Sequence, residues 1–106
     1  MAKTLQERMF QEMEQKDIFT QAQKYAYDYA DIVPERNVYP TPEVIDDLDH
    51  FVEGIPASTG NAMDVLELLN QYGSPASVAQ TGGRYFGFVN GGVIPAALAA
   101  RWLSDF

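Results

Sequence analysis

The sequence contains no cysteine and only one histidine, His50. Without cysteine the chain has no disulfide framework, no thiol nucleophile and no thiolate metal site. Any histidine-based catalysis would have to use His50, and no Ser/His/Asp arrangement of the catalytic-triad kind is evident. A reduced setting fits these absences, so we expect a cytoplasmic protein.

Basic residues are also few: seven Lys and Arg stand against 15 Asp and Glu, so the net charge is −8. No basic stripe is present to neutralise phosphates, which argues against a nucleic-acid partner. The same deficit argues against a polybasic membrane anchor. No apolar run approaches the roughly 20 residues that span a bilayer, and Met1–Glu7 lacks the apolar core of a signal peptide. We therefore expect no membrane partner.

Charge is distributed unevenly along the 106 residues, a length that allows one domain with a modest core. Residues 1–53 carry 12 acidic and five basic side chains, whereas Leu68–Ser104 carries only Arg84 and Arg101. Solvated surface normally has charges interspersed along it. The last third is therefore expected to be covered by a partner or by more of the same protein. The helical pattern at Arg101–Phe106 has no closing signal, which favours a piece of a longer chain.

The spacing of apolar residues predicts a mainly α-helical segment, with three to four helices and one glycine-rich loop. The capping sequence Thr4–Glu7 begins a long first helix. Its apolar stripe slips in phase near Lys16, and the helix ends before Val33–Pro34. Tyr25 and Tyr29 on this helix are predicted to be packing residues, with ligand binding as the less favoured alternative.

Further helices follow along the chain. Thr41 is expected to cap a second helix that has Pro42 at its first position and ends at Gly54. A third helix is predicted over residues 62–72. The last helix begins at Ile94, is rich in alanine and is apolar almost all round, which is typical of a helix that packs on several sides.

An acidic cluster surrounds the single histidine on the second helix: Asp46, Asp47, Asp49 and Glu53 flank His50. Asp46 and His50 stand at i and i+4, so they could share a metal ion. Stable metal sites usually have three or four protein ligands. A solvated polar face is therefore the favoured interpretation of this cluster.

The glycine-rich loop Gly82–Gly92 is the most unusual segment. Glycines let a backbone approach a ligand closely, a helix N-terminus follows, and Arg84 could bind an anion in a bidentate manner. However, the segment contains neither the P-loop pattern nor the dinucleotide-binding glycine pattern. Residue type and spacing alone favour a tight structural turn over a site for a small anion that uses Arg84 and the Gly91–Gly92 helix start.

The order of residues from Gly82 to Leu103, GGRYFGFVNGGVIPAALAARWL, is specific over more than 20 positions. It resembles a hallmark stretch of the pyridoxal-phosphate-dependent group II amino-acid decarboxylases, the family of glutamate, aromatic amino-acid and tyrosine decarboxylases. Upstream, Arg36–Pro40 and the two short helices also fit the N-terminal region of that family. The first 30 residues resemble it only in being helical.

The resemblance implies that the parent enzyme has the α/β fold of type I pyridoxal-phosphate-dependent transferases. Residues 1–73 would form a helical dimerisation lobe, 74–93 a glycine-rich active-site loop, and 94–106 the truncated first helix of the large domain. By similarity, the substrate pocket would be lined by Phe88, Val89, Asn90 and Gly91. The loop would be positioned by Arg84, Tyr85 and Gly87.

The same resemblance implies a carboxy-lyase that binds an amino-acid substrate and pyridoxal phosphate in the intact parent. That chemistry needs a Schiff-base lysine, an acid facing the pyridinium nitrogen and a histidine on the ring, all of which lie beyond residue 106 in relatives. The lysines present, Lys3, Lys16 and Lys24, occupy the polar first helix. We therefore expect the segment to have no catalytic residue, to bind no cofactor covalently and to be inactive alone. The alternative is a stand-alone helical module that forms a homodimer by helix packing or exchange.

Overall fold

The computed structural model describes residues 3–87 and 92–105, and this part of the chain is helical with no β-strand. Five α-helices occur in it: α1 Leu5–Gln15, α2 Asp17–Ile32, α3 Pro42–Asp46, α4 Ala62–Leu68 and α5 Pro95–Ser104. The 3₁₀ turn Asp47–Phe51 continues α3, and the π-helical turn Leu69–Gly73 continues α4. The mainly α-helical prediction is thus confirmed, with one more helix than expected.

The extra helix arises at Lys16, where the prediction of one continuous first helix is wrong. Lys16 adopts the left-handed conformation with φ 63° and ψ 12°, and its N–H donates to the carbonyl of Glu12 at 2.9 Å. This residue ends α1 and begins α2, so the apolar stripe changes phase across it. The slip visible in the sequence marks a break between two helices.

Local capping signals account for the starts of α1, α3 and α4, whereas α2 and α5 have no side-chain cap. At α1, Thr4 Oγ1 accepts from the N–H of Glu7 at 3.2 Å, and Glu7 Oε2 accepts from the N–H of Thr4 at 3.0 Å. Asn61 Oδ1 accepts from the N–H of Asp64 at the start of α4. These side chains bind N–H groups that have no partner within the helix.

The second predicted helix is shorter than expected. It begins at Pro42 after the Thr41 cap, but α-helical geometry ends at Asp46 and the 3₁₀ turn ends at Phe51, before Gly54. The third predicted helix spans α4 and its π-helical turn, which ends at Gly73. α4 packs against α2, and the 3₁₀ turn packs against the π-helical turn.

The folded chain buries less surface than is usual for its length. The accessible area is 8680 Å², against about 5,900 Å² for a folded monomer of this mass. The radius of gyration is 16.8 Å, where about 13 Å is typical of this length. Among the described residues only Ala79, 1% exposed, is fully buried. The helices therefore form an open arrangement with exposed apolar faces.

Candidate functional site

Residues 74–82, which lead into the glycine-rich loop, lie against the connector between α2 and α3, residues 33–41. The N–H of Ala79 donates to the carbonyl of Val38 at 2.8 Å, and the N–H of Gly82 donates to the carbonyl of Ala79 at 3.2 Å. Ala79 is the buried residue noted above. Residues 74–82 are therefore attached to the connector at the best-packed point of the described chain.

Gly82 lies in a close approach to the end of α2. A Cβ atom at this position would lie 3.1 Å from the carbonyl oxygen of Val33 and 3.3 Å from its Cγ2. Such contacts are tighter than side chains normally make, so a larger residue would push the segment away from α2. The sequence favoured a tight structural turn here and gave no signal for this approach to Val33.

Arg36 joins this segment to the connector. Its Nη2 donates to the carbonyl of Pro75 at 3.0 Å and to the carbonyl of Ser77 at 2.5 Å. Its guanidinium carbon also lies 5.4 Å from the centre of the Tyr29 ring. Tyr29 is half-buried, as its predicted packing role requires. The sequence offered no signal for the role of Arg36 beyond its place in the family-like Arg36–Pro40 stretch.

Arg84 forms an ion pair with the connector. Its Nη2 lies 3.4 Å from Glu35 Oε2, and the two side chains are 56% and 84% exposed. Exposed pairs of this kind contribute about 0–1 kcal/mol. Because Arg84 already pairs with a carboxylate, the structure counts against its binding an anion. The anion site of Arg84 and the Gly91–Gly92 helix start stays a prediction, since Gly91 lies outside the described residues.

Tyr85 contacts the same connector through its ring. The rings of Tyr85 and Tyr39 meet edge to face, with centroids 6.5 Å apart and planes at 69°. A Cβ atom at Gly87 would lie 2.5 Å from Tyr85 Oη, so this position accepts glycine alone while the ring keeps its place. Arg84, Tyr85 and Gly87 thus lie together where the loop leaves the connector. The predicted pocket residues Phe88, Val89, Asn90 and Gly91 lie outside the described residues.

A shallow groove of about 290 Å³ opens beside the Arg36 contacts. Arg36, Asn37, Tyr39 and Thr41 line one side, and Ser74 and Pro75 line the other. Thr41 already caps α3 and Arg36 already binds two carbonyls, so these polar groups serve the fold. The groove contains no nucleophile with an adjacent general base, the arrangement that covalent catalysis needs.

His50 packs on an aromatic ring. It stacks on Tyr72 with ring centroids 3.8 Å apart, and its Nδ1 lies 2.8 Å from the carbonyl oxygen of Asp47. Within residues 3–87 and 92–105 no three His, Asp or Glu side chains come together in a way that could hold a metal ion. Asp46 and His50 therefore have no third ligand in the described chain.

The lysines do not fit a Schiff-base site. Lys3, Lys16 and Lys24 are all exposed. Lys24 pairs with Asp28 at 3.2 Å, and Lys16 donates to the backbone carbonyl of Glu14. A Schiff-base lysine is commonly activated by desolvation, and the exposure of all three lysines provides none. Exposure of all three lysines is the structural finding; the absence of a covalently bound cofactor stays a prediction.

None of the helices in the described part of the chain combines the length and the apolar character that crossing a bilayer requires. Comparisons of the chain with protein-family models, with curated proteins and with solved structures find no match in any of the three. The functional interpretation therefore depends on the sequence resemblance and on the geometry of the described residues.

Proposed function

We propose that this chain is the N-terminal part of a pyridoxal-phosphate-dependent amino-acid decarboxylase. In this proposal it supplies dimer contacts and part of the substrate pocket, and it has no activity alone. The observation that carries the proposal is the order of residues from Gly82 to Leu103. This stretch combines a glycine-rich loop with an apolar helix start. A structural turn alone does not require this particular order of residues.

The exposed apolar faces support the role of a segment that needs further protein around it. Every described residue of α5 is exposed, and these residues include Leu98, Trp102 and Leu103. α1 exposes Leu5 and Met9 in the same way. Large exposed apolar faces mark interaction surfaces. In the proposed parent, α1 would face the other subunit and α5 would enter the large domain.

The attachment of residues 74–87 supports the role of a pocket wall. Arg36 and Tyr39 in the connector contact the segment that leads directly to the predicted pocket residues. Residues that line a pocket need a rigid base to hold a substrate in one orientation. The cofactor, bound elsewhere in the parent, would supply the electron sink for decarboxylation. The chemistry would therefore depend on residues outside this chain.

Fragment complementation tests the proposal. The coding DNA downstream of residue 106 is expected to continue in frame and to encode a His-Lys pair a few hundred residues on. We expect that polypeptide, expressed separately and loaded with pyridoxal phosphate, to release CO₂ from an amino acid only after the present chain is added. As a matched control, the present chain alone should give no borohydride-reducible adduct at a defined lysine. A stop codon with no decarboxylase remainder nearby, or one defined adduct at Lys3, Lys16 or Lys24, would contradict the proposal.

The exposed α1 face favours one alternative, a self-associating helical module without catalysis. Leu5 and Met9 line a groove with Val65 of α4, and a second copy could cover it. Both accounts predict association, so sedimentation alone does not separate them. The downstream reading frame does, because only the decarboxylase segment requires it.

A further inference from the structure

We infer that Arg36 is a positioning residue that clasps the start of the glycine-rich region to the end of α2. The Arg36 clasp consists of the Arg36 guanidinium, the carbonyl oxygens of Pro75 and Ser77, and the ring of Tyr29. It joins parts of the chain that are 39 and 41 positions apart. Local turn preferences do not produce contacts between residues so far apart in the sequence. In this inference, the hydrogen bonds of Arg36 therefore determine the path of residues 74–79.

The geometry suits a guanidinium group in particular. One nitrogen, Nη2, has two N–H bonds and donates to two different carbonyls. The guanidinium carbon lies over the Tyr29 ring, 5.4 Å from its centre, where a cation is attracted to the electron-rich ring. A lysine ammonium is a compact point charge without this planar form. The conservative change Arg36→Lys is therefore expected to keep the charge but to loosen the clasp.

The clasp acts next to the best-packed point of the described chain. Two residues beyond Ser77, the N–H of Ala79 donates to Val38 in the same connector as Arg36. Gly82 then approaches Val33 closely. Residues 74–82 thus contact the connector at Arg36, Val38 and Val33 in turn. Loss of the Arg36 contacts is expected to weaken the contacts of Ala79 and Gly82 that follow along the segment. The segment leading to Arg84 should then become more accessible.

Limited proteolysis with trypsin measures this accessibility directly. Arg84 follows the clasped segment, Lys24 lies within α2, and Arg101 lies on the exposed α5. In Arg36→Ala, initial cleavage after Arg84 is expected to be about tenfold faster than in the unaltered chain, because the opening free energy falls with the lost charged hydrogen bonds. Cleavage after Lys24 and Arg101 should stay within about twofold. Arg36→Lys should fall between the two proteins.

A second variant separates the clasp from the neighbouring surface ion pair. Glu35→Gln removes the exposed partner of Arg84 and is expected to change cleavage after Arg84 by less than about threefold. Amide hydrogen exchange at Ala79 should accelerate in Arg36→Ala but not in Glu35→Gln. Equal cleavage after Arg84 with and without Arg36 would overturn the inference. A parallel rise at Lys24 would also overturn it, because Arg36 would then support the whole fold and not the position of this segment.

One consequence of the clasp rests on the proposed function. In a decarboxylase, the clasp would set the point from which the pocket wall departs, and Arg36→Ala would raise KM for the amino acid more than it lowers kcat. Proteolysis of the present chain tests the clasp without that assumption. A failed complementation experiment would remove the enzymatic consequence and leave the clasp standing.

Discussion

The imidazole ring of His50 lies flat on the phenol ring of Tyr72, with centroids 3.8 Å apart and planes within 7° of parallel. The stack joins the 3₁₀ turn after α3 to the π-helical turn after α4. His50 thus has a structural partner in a chain where it is the only histidine. The acidic residues around it remain exposed, which agrees with the solvated-face interpretation.

Tyr72→Ala is expected to destabilise the packing of these two turns by about 1 kcal/mol, because aromatic pairs contribute roughly 0.5–1.5 kcal/mol beyond their buried area. Tyr72→Phe keeps the ring and should cost less than half as much. The free energy of unfolding, from urea titration of the helical circular dichroism, measures both. If His50→Ala and Tyr72→Ala were fully additive in the double variant, the stack would contribute no coupling energy.

Lys16→Gly is expected to stabilise the junction between α1 and α2. Lys16 has φ 63°, a left-handed conformation that costs a side-chain-bearing residue about 1 kcal/mol relative to glycine. Part of the gain is offset because glycine increases the entropy of the unfolded chain. We expect a net gain of about 0.5 kcal/mol in the same urea titration. Lys16→Ala serves as the control for the lost ammonium group, and a gain as large as that of glycine would show that backbone strain is not the cause.

Gly87→Ala is expected to displace the ring of Tyr85, because the new methyl group would lie 2.5 Å from Tyr85 Oη. The ring can rotate away, so the predicted effect is loss of the edge-to-face contact with Tyr39 and not unfolding. Nuclear Overhauser effects between the two rings should disappear while the helical circular dichroism stays the same. Gly83→Ala is the matched control, since a Cβ there meets nothing within 4 Å. Retention of the ring contacts in Gly87→Ala would contradict the prediction.

Met9→Glu is expected to weaken self-association of the chain. Met9 is 58% exposed on the apolar face of α1, and burying a methionine side chain at an interface contributes about 1.5–3 kcal/mol. The dimer dissociation constant from sedimentation equilibrium should therefore rise at least about tenfold. Ile55→Glu is the control, because Ile55 is 100% exposed and lies outside the helices. A monomer at all concentrations, or equal effects of the two changes, would contradict a dimer contact through α1.

The starts of α1 and α3 were predictable because their signals lie within four residues of one another. Thr4 with Glu7, and Thr41 with Pro42, specify a cap and the first turn of a helix in any context. The break at Lys16 was visible only as a phase slip, since nothing local demands a left-handed lysine. The early end of α3 was not predictable either, because its apolar residues continue at helical spacing beyond the last α-helical turn.

The candidate site also combines features that the sequence predicted with contacts that only the structure showed. The glycine-rich stretch and its order from Gly82 to Leu103 could be recognised from residue types alone. The partners of Arg84 and Tyr85 could not, because Glu35 and Tyr39 lie more than 40 positions away. Apart from its place in the family-like Arg36–Pro40 stretch, nothing in the sequence distinguished Arg36 from the other basic residues.

Composition, charge and short-range pattern were sufficient to establish a helical, cysteine-free, acidic chain with few charges in its last third. Each of these properties depends on residue type or on neighbours within one helical turn. The attachment of residues 74–87 to the connector required the folded chain, because hydrogen bonds such as that from Arg36 to Pro75 close long loops. Such contacts form only when several of them together offset the entropy cost of loop closure. No single residue in the sequence shows which contacts will form.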